Sequence, residues 1–162
     1  MPDVVSNTSP LLYLHHLGLI DLLPSLYGRV MVPRAVVAEL AEGARRGIAV
    51  PDPQGLSWVS VESVRGTALI QLVADLGAGE REVMALATQR PGPLVILDDA
   101  RARRHARLLR LRLTGTLGVL LRAKERGKVA ALTPWIERLV TLGFHLDDAT
   151  RVSLLRLAGE QP

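Results

Sequence analysis

Two short segments without polar-apolar alternation constrain the fold of this chain more than any other feature. Val4-Val5-Ser6 and Leu94-Val95-Ile96-Leu97 lie far apart, and stretches with apolar residues at helical spacing separate them. Strands buried on both faces of a parallel sheet have this pattern, and strands that alternate with helices are typical of α/β proteins. We therefore predict a three-layer α/β/α fold with a mainly parallel sheet.

The predicted elements alternate along the chain. Strands are predicted at Val4–Ser6, Val30–Val32, Trp58–Val61, Leu94–Leu97 and Leu111–Leu113. Helices are predicted from Ser9 onward and at Leu19–Tyr27, Ala35–Ala44, Glu80–Ala87, Ala100–Leu109, Leu117–Arg126, Pro134–Leu142 and Asp147–Leu157. Ser9 before Pro10 favours a helix with Ser9 as its N-cap, and the alternation of Trp58–Val61 indicates an edge strand. The segment Gly47–Gly55 has two prolines and is predicted to be a loop.

Length and composition set the class of protein. The 162 residues correspond to one domain, so we expect a single domain over residues 1–162 with the helices from about 134 packed on it. The absence of cysteine excludes disulfides and thiolate metal sites. We see no signal peptide and no run of 18 apolar residues, and we expect a cytoplasmic protein that has no contact with a membrane.

Polar residues follow three of the predicted buried strands. Asn7-Thr8-Ser9 follows the first strand, Asp98-Asp99 follows the Leu94 strand, and Thr114-Gly115-Thr116 follows the Leu111 strand. Ligands of parallel sheets bind outside the carboxyl ends of the strands. Glu80, in the first turn of a helix, and Glu39, on a helix with an apolar opposite face, complete a candidate acidic site at this edge.

Carboxylates that share a cleft repel one another. Two charges about 4 Å apart cost on the order of 4 kcal/mol at an effective dielectric constant near 20, so either some of the groups hold protons or a cation neutralises them. Oxygen ligands without cysteine or a histidine cluster favour Mg²⁺ or Mn²⁺ over Zn²⁺.

Each candidate residue also has an ordinary structural explanation. Ser9 could cap a helix, Glu39 could be a solvated helix residue, and Glu80 could interact with the helix dipole. One residue of the Asp98-Asp99 pair could cap the next helix. Gly77-Ala78-Gly79 lacks a clear preceding strand, which argues against a dinucleotide site, and no phosphate-loop lysine motif is present.

The helix after Asp99 is strongly basic. It contains Arg101, Arg103, Arg104 and Arg107, and Arg103, Arg107 and Arg110 are predicted to share one face. The net charge of +4 is compatible with an anionic partner such as nucleic acid, although a solvated surface would have the same composition. With 3% aromatic residues, contacts to the phosphate backbone should outweigh stacking on bases.

Five motifs in order resemble the PIN-domain superfamily, and more narrowly a prokaryotic subfamily often encoded beside a small antitoxin-like protein. The motifs are Val5–Leu11, Val32–Leu40, Gly79–Ala87, Leu97–Arg103 and Thr114–Gly118. The resemblance covers Val4 to about Phe144. It implies a nuclease that uses acids at four positions to hold Mg²⁺ or Mn²⁺ and to cut single-stranded RNA.

By this resemblance, Glu39 matches the second acid, Glu80 the third, and Asp98 or Asp99 the fourth, with Asp99 favoured. Asn7 stands where the first acid is usually Asp, and it retains a carbonyl oxygen without the charge. The implied metal ligands are therefore Asn7, Glu39, Glu80, Asp98 and Asp99, of which the four acids are catalytic. Thr8, Ser9, Thr114 and Thr116 are candidates for an assisting hydroxyl, and Arg101, Arg103, Arg104 and Arg107 are candidates for RNA contacts.

Three functions remain open from the sequence. The leading hypothesis is a Mg²⁺- or Mn²⁺-dependent endoribonuclease, the toxin of a toxin–antitoxin pair, with RNA, an antitoxin protein and a second copy of the chain as partners. The second is a degenerate module, marked by Asn7, that binds RNA or a protein without cleavage. The third is a receiver-like signalling domain, since such domains also hold Mg²⁺ with an acidic pair.

Overall fold

The computed structural model describes residues 2–162 and contains five β-strands. The strands are β1 (Val4–Ser6), β2 (Val30–Pro33), β3 (Val59–Glu62), β4 (Leu94–Ile96) and β5 (Arg112–Thr114). The nine α-helices within this range are α1 (Thr8–His16), α2 (Leu22–Tyr27), α3 (Arg34–Arg45), α4 (Ala68–Leu72), α5 (Ala78–Thr88), α6 (Ala100–Leu108), α7 (Thr116–Glu125), α8 (Thr133–Thr141) and α9 (Asp148–Leu157). Each predicted strand and helix is present to within a few residues at its ends.

The sheet is parallel throughout, which confirms the predicted class. Its strand order is β3-β2-β1-β4-β5, and each neighbouring pair is parallel. With the helices that accompany it, this sheet fits a three-layer α/β/α fold. The strand predicted at Trp58–Val61 is indeed an edge strand. The order also differs from the 2-1-3-4-5 order of receiver domains, so the receiver hypothesis is wrong.

The chain changes direction across the sheet at β1 and β4. From β1 it continues to β2 and β3 on one side, whereas from β4 it continues to β5 on the other. Ser6 lies opposite Ile96 in the register of the β1–β4 pair, so Asn7 and the Asp98-Asp99 pair emerge side by side. Such a switch point in strand order is where open α/β sheets bind ligands.

Two local features were not predicted from the sequence. The segment 64–78, to which we assigned no helix, contains α4, a single short helix without buried residues that the apolar periodicity could not reveal. The predicted loop Gly47–Gly55 ends in a 3₁₀ turn at Pro53–Gly55, where the Asp52 carboxylate accepts a hydrogen bond from the Gln54 N–H at 3.2 Å.

One hydrophobic core joins the sheet to the surrounding helices. It includes side chains from the sheet, such as Val5 and Ile96, and side chains from the last two helices, such as Ile136 and Leu155. None of the helices in residues 2–162 is long and apolar enough to cross a membrane.

Candidate active site

The buried polar side chains mark one edge of the sheet. Among the described residues, the polar or charged ones classed as buried are Ser6, Asn7 and Thr116. Ser6 and Asn7 stand at the carboxyl end of β1, and Thr116 follows the carboxyl end of β5. Because buried polar groups cost free energy unless they are paired, their concentration at this edge indicates a purpose other than packing.

Asn7 is the most unusual of the three. Its side chain is 4% exposed, and its Oδ1 atom has no hydrogen-bond donor anywhere in residues 2–162. The Asn7 backbone N–H donates to the Ile96 carbonyl at 3.0 Å, which fixes the residue between β1 and β4. An unsatisfied buried acceptor costs about 1–3 kcal/mol, and a bound cation or donor would remove that cost.

The first helix begins earlier than predicted. Asn7 rather than Ser9 occupies the N-cap position of α1, and its side chain makes no capping hydrogen bond. Pro10 therefore lies within the first turn, which tolerates proline because the first N–H groups of a helix have no intrahelical partner. The prediction that Ser9 caps the helix was wrong, and Ser9 is partly buried within this turn.

We call the carboxyl-end edge of the sheet, with Asn7, Glu39, Glu80, Asp98 and Asp99, the acidic edge. Here Glu39 connects α3 to α1 and α5. Its Oε2 atom accepts a hydrogen bond from the Thr8 hydroxyl, and its Oε1 atom accepts one from the Gly79 N–H at 2.8 Å. A Cβ atom on Gly79 would lie 2.5 Å from Glu39 Oε2, so only glycine lets α5 approach this carboxylate. Glu39 is therefore an anchored group rather than a solvated helix residue.

Glu80 lies beside other negative charges. Its Oε2 atom accepts a hydrogen bond from the Gly77 N–H at 3.1 Å. Burial raises the pKa of Glu80 above its usual value, the Gly77 hydrogen bond partly opposes this rise, and the charges of Asp99 and Glu39 raise the pKa further. Three of the predicted acids thus interact electrostatically across the edge.

The two residues of the Asp98-Asp99 pair bind different helix N-termini. Both oxygens of Asp98 are bound by Thr116, through its N–H at 2.7 Å and its hydroxyl at 2.7 Å. Asp99 caps α6, with its Oδ1 accepting from the Ala102 N–H at 2.9 Å, and no other hydrogen bond to its carboxylate is formed within residues 2–162. Burial raises the pKa of Asp98, while the Thr116 hydrogen bonds and the Arg103 charge oppose the rise.

The Asp98 carboxylate packs closely against Gly115. A Cβ atom on Gly115 would lie 2.8 Å from Asp98 Oδ1 and 3.1 Å from the Leu97 carbonyl oxygen. The Arg103 guanidinium donates to that same carbonyl at 2.8 Å. Asp98, Arg103 and Gly115 therefore hold the end of β4 against the start of α7.

A cleft of about 530 Å³ contains two of the acids. It is lined by Asp75, Gly77, Glu80, Asp99, Ala100, Arg101 and Arg104. Negative carboxylates and exposed guanidinium groups thus share one cavity, which suits a phosphate bound through a cation. The structure brings Glu39, Glu80 and Asp99 together electrostatically and leaves Asp98 to its hydrogen bonds with α7.

The donor set suits a hard divalent cation, although the side chains are not arranged around one. In the part of the chain that the structure describes, no three acidic or histidine side chains are disposed to hold a metal ion. Glu39, Asp98 and Asp99 each accept a hydrogen bond from a helix N–H group. The unpaired Asn7 oxygen and the mutual repulsion at Glu80 are the two features that a bound cation would relieve, so the residue types fit.

The basic residues of α6 face two different cavities. Arg101 and Arg104 line the cleft that contains Glu80 and Asp99, whereas Arg103 and Arg107 line a second cleft together with Asp98. Arg110 lies beyond the end of α6 with a φ of 56°, so the prediction that it shares a helical face with Arg103 and Arg107 was wrong. Burial lowers the pKa of Arg103, consistent with its structural hydrogen bond.

Sequence reasoning missed the residues that position the acids. Gly79 and Gly115 each approach a carboxylate that is distant in the sequence, and Arg103 binds the Leu97 carbonyl. Glycines directly before Glu80 and between two threonines were the available signal. Of the hydroxyl candidates, Thr8 and Thr116 bind acids, while Thr114 lines the second cleft and forms no side-chain hydrogen bond with the described residues.

Comparison with known families agrees with this geometry. A family model described as a PIN domain matches residues 3–160. No curated protein matches the chain. PIN domains are typically nucleases and generally use divalent metal ions.

Proposed function

The chain belongs to the PIN-domain family, and on this premise we propose that it is a Mg²⁺- or Mn²⁺-dependent endoribonuclease that cuts single-stranded RNA. The observation that carries the proposal is the buried, unpaired Asn7 oxygen at the same strand edge as Glu39, Glu80 and Asp99. A purely structural edge would satisfy that oxygen, because buried acceptors are nearly always paired.

Asp99, Glu80, Glu39 and Asn7 would hold the cation. Asp99 has a carboxylate oxygen free of protein hydrogen bonds in the described chain. Thr8 and the Gly79 N–H keep the Glu39 carboxylate in place. Asp98 is a positioning residue, because its contacts with Thr116 fix the loop that presents Asp99.

The chain's own residues divide the remaining chemistry. Arg101 and Arg104, in the cleft with Glu80 and Asp99, bind the phosphate backbone. Burial, with the charges of Asp99 and Glu39, raises the pKa of Glu80, and a cation held by its carboxylate would relieve the repulsion from those two neighbours. A divalent cation of the kind PIN domains use supplies Lewis-acid stabilisation of the charge that develops on the phosphate and makes water a better nucleophile.

The toxin role and its partners extend this proposal. We propose that the nuclease is restrained by a small antitoxin protein and acts in the cytoplasm as a homodimer, on the strength of the resemblance described above. A degenerate module that binds RNA or a protein without cleavage is the second candidate. Asn7 favours it, because replacing a carboxylate by an amide removes one negative charge from the metal site.

Metal binding and cleavage by Asp99→Asn test the nuclease proposal. The wild type should cut a labelled single-stranded RNA in the presence of Mn²⁺, and Mn²⁺ should raise its melting temperature by binding the native state. Asp99→Asn should lower the cleavage rate by about 10²–10³-fold, the loss typical of removing one preorganised electrostatic group. It should also reduce the Mn²⁺-induced shift, whereas asparagine retains the helix cap.

Asp52→Asn is the matched control. Asp52 also caps a turn through its side chain, but it lines neither the cleft with Glu80 and Asp99 nor the cleft with Asp98, so its substitution should leave cleavage and the Mn²⁺ shift unchanged. A wild type that binds Mn²⁺ and RNA but cuts neither RNA nor DNA would favour the binding module. If millimolar Mn²⁺ does not change the melting temperature of the wild type, the proposed metal site is wrong.

A further inference from the structure

A second cleft adjoins the acidic edge and is not used by the proposed metal site. Its volume is about 460 Å³, within the range of small-molecule sites. It shares Ala100 with the acidic cleft, so the two cavities meet at the start of α6. Its walls are α6, the end of β5, the start of α7, and the segment that leads into α9.

The second cleft has a cation, Arg107, that is available to a ligand. Its two acids are satisfied internally, since Asp98 is bound by Thr116 and Asp147 by the Thr150 N–H and hydroxyl, each at 2.8 Å. Arg107 is exposed, and its guanidinium group forms no hydrogen bond or ion pair within residues 2–162. Charge complementarity therefore favours an anionic ligand beside Arg107.

The cleft also contains an aromatic surface. Phe144, the single phenylalanine of the chain, lines it and is only partly buried. Tyr13 supports Phe144 from α1 in an edge-to-face contact, with ring centroids 5.1 Å apart and an interplanar angle of 73°. A ring held in this way keeps part of its surface available for stacking.

We propose that this second cleft binds a nucleotide of the RNA strand next to the phosphate that is cut, with its base against Phe144 and its phosphate at Arg107. The inference rests on the proposed nuclease function and identifies where the strand continues. An aromatic face beside a cation is the combination by which proteins hold single-stranded nucleic acids without sequence preference. Thr114, whose hydroxyl has no partner among the described residues, lies in the same cleft and is available to the ribose.

Binding is measured without catalysis, by fluorescence anisotropy of a labelled single-stranded RNA in EDTA with the full chain. Phe144→Leu should weaken binding about 5- to 150-fold, as expected for loss of one stacked base. Arg107→Gln should weaken binding and reduce the magnitude of the salt slope by about 0.7, the value for one phosphate contact on a single strand. The melting temperature of each variant confirms that it is folded.

Matched controls separate the cleft from the general surface. Trp135→Leu removes a partly buried aromatic residue from α8, and Arg138→Gln removes an exposed cation from the same helix; neither residue lines the cleft. Both controls should bind RNA like the wild type. Equal losses in the controls and the cleft variants would overturn the proposal, because the effect would then be one of charge or packing anywhere on the surface.

Photocrosslinking locates the strand directly. RNA that contains 5-bromouridine should crosslink to the peptide that includes Phe144, and crosslinks confined to residues 75–80 and 101–104 would overturn the proposal. If the wild type cuts RNA with Mn²⁺ while Phe144→Leu and Arg107→Gln bind and cut normally, the second cleft fails and the nuclease function stands. If the wild type neither binds nor cuts RNA, the proposed function fails together with the inference.

Discussion

Two regions of this molecule present carboxylates to helix N-termini, and they differ in what else surrounds the charge. In the first region, near the C-terminus, the Glu160 carboxylate accepts hydrogen bonds from Lys124 Nζ at 2.7 Å, the Leu132 N–H at 2.7 Å, and the Thr133 N–H and hydroxyl at 3.1 and 2.8 Å. These partners, with the Lys124 ammonium as the largest cause, lower the pKa of Glu160 from 4.5 to about 2.

The acidic edge has the same type of hydrogen bond, but among the described residues no lysine or arginine donates a hydrogen bond to its carboxylates. Glu39 meets the first turn of α5 and Asp98 the first turn of α7, yet Glu80 has Asp99 and Glu39 as negative neighbours. The pKa values of Glu80 and Asp98 are raised, whereas that of Glu160 is lowered. Helix capping alone therefore does not distinguish these two regions, whereas the direction of the pKa shift does.

Among the variants that test the difference between the two regions, Asn7→Asp should change the unfolding free energy most. The site is 4% exposed, and an uncompensated buried charge costs several kcal/mol, of which the N-cap position of α1 returns about 1 kcal/mol. We expect a loss of about 3 kcal/mol in the metal-free unfolding free energy near neutral pH. With Mn²⁺ we expect tighter binding and faster RNA cleavage, since the new charge then has a partner.

Denaturant unfolding in EDTA and a Mn²⁺ titration measure the two opposite effects of Asn7→Asp. The control is Asp3→Asn, the reverse exchange at an exposed residue just before β1, which should change neither quantity. Unchanged metal-free stability together with unchanged Mn²⁺ affinity in Asn7→Asp would place Asn7 outside the acidic edge.

Glu160→Gln should have the next largest effect, and only on stability. Hydrogen bonds to a charged group contribute more than neutral ones, so we expect a loss on the order of 2 kcal/mol at pH 7. Because the folded pKa lies below 4.5, this contribution is present above about pH 4.5 and is lost as pH falls towards 2. Denaturant unfolding at pH 7 and pH 3 tests this, and a change in the Mn²⁺-induced melting shift would contradict the separation of the two regions.

Glu80→Gln should have the smallest effect on the unfolding free energy, and it should stabilise the protein rather than destabilise it. Its folded pKa is raised, so the native state binds more protons than the unfolded state just above pH 4.5, and metal-free stability falls as pH rises through that window. Glutamine keeps an acceptor for the Gly77 N–H without the charge. We expect the variant to gain on the order of 0.5 kcal/mol at pH 7, after allowance for solvent screening, and to gain nothing at pH 4.

Thermal unfolding in EDTA across pH 4–8 measures the gain from Glu80→Gln. The control is Glu137→Gln on α8, an exposed glutamate near Arg151, which should not be stabilised by loss of its charge. A loss of stability in Glu80→Gln comparable to that of Glu160→Gln would mean that Glu80 is a structural acid.

Much of the fold could be predicted because its signals are local. Continuous apolar runs such as Leu94–Leu97 leave a strand few alternatives other than a parallel sheet interior, and the edge position of β3 followed from its alternation. The start of α1 could not be predicted in the same way. Ser9-Pro10 is a good local start signal, but the backbone hydrogen bond from Asn7 to Ile96 lets the helix begin immediately after β1.

The sequence by itself determined that acids and hydroxyls would follow the strands of a parallel α/β sheet, because residue type and strand pattern are properties of short segments. Only the tertiary structure decided that Asp98 binds Thr116 while Asp99 faces Glu80, and that Arg103 and Arg101 serve different cavities. Those choices depend on which helix N-terminus reaches each carboxylate. The hydrogen bonds that decide this join Asp98 to Thr116 and Glu39 to Gly79, which are 18 and 40 positions apart in the chain. A short sequence pattern cannot predict contacts over such separations.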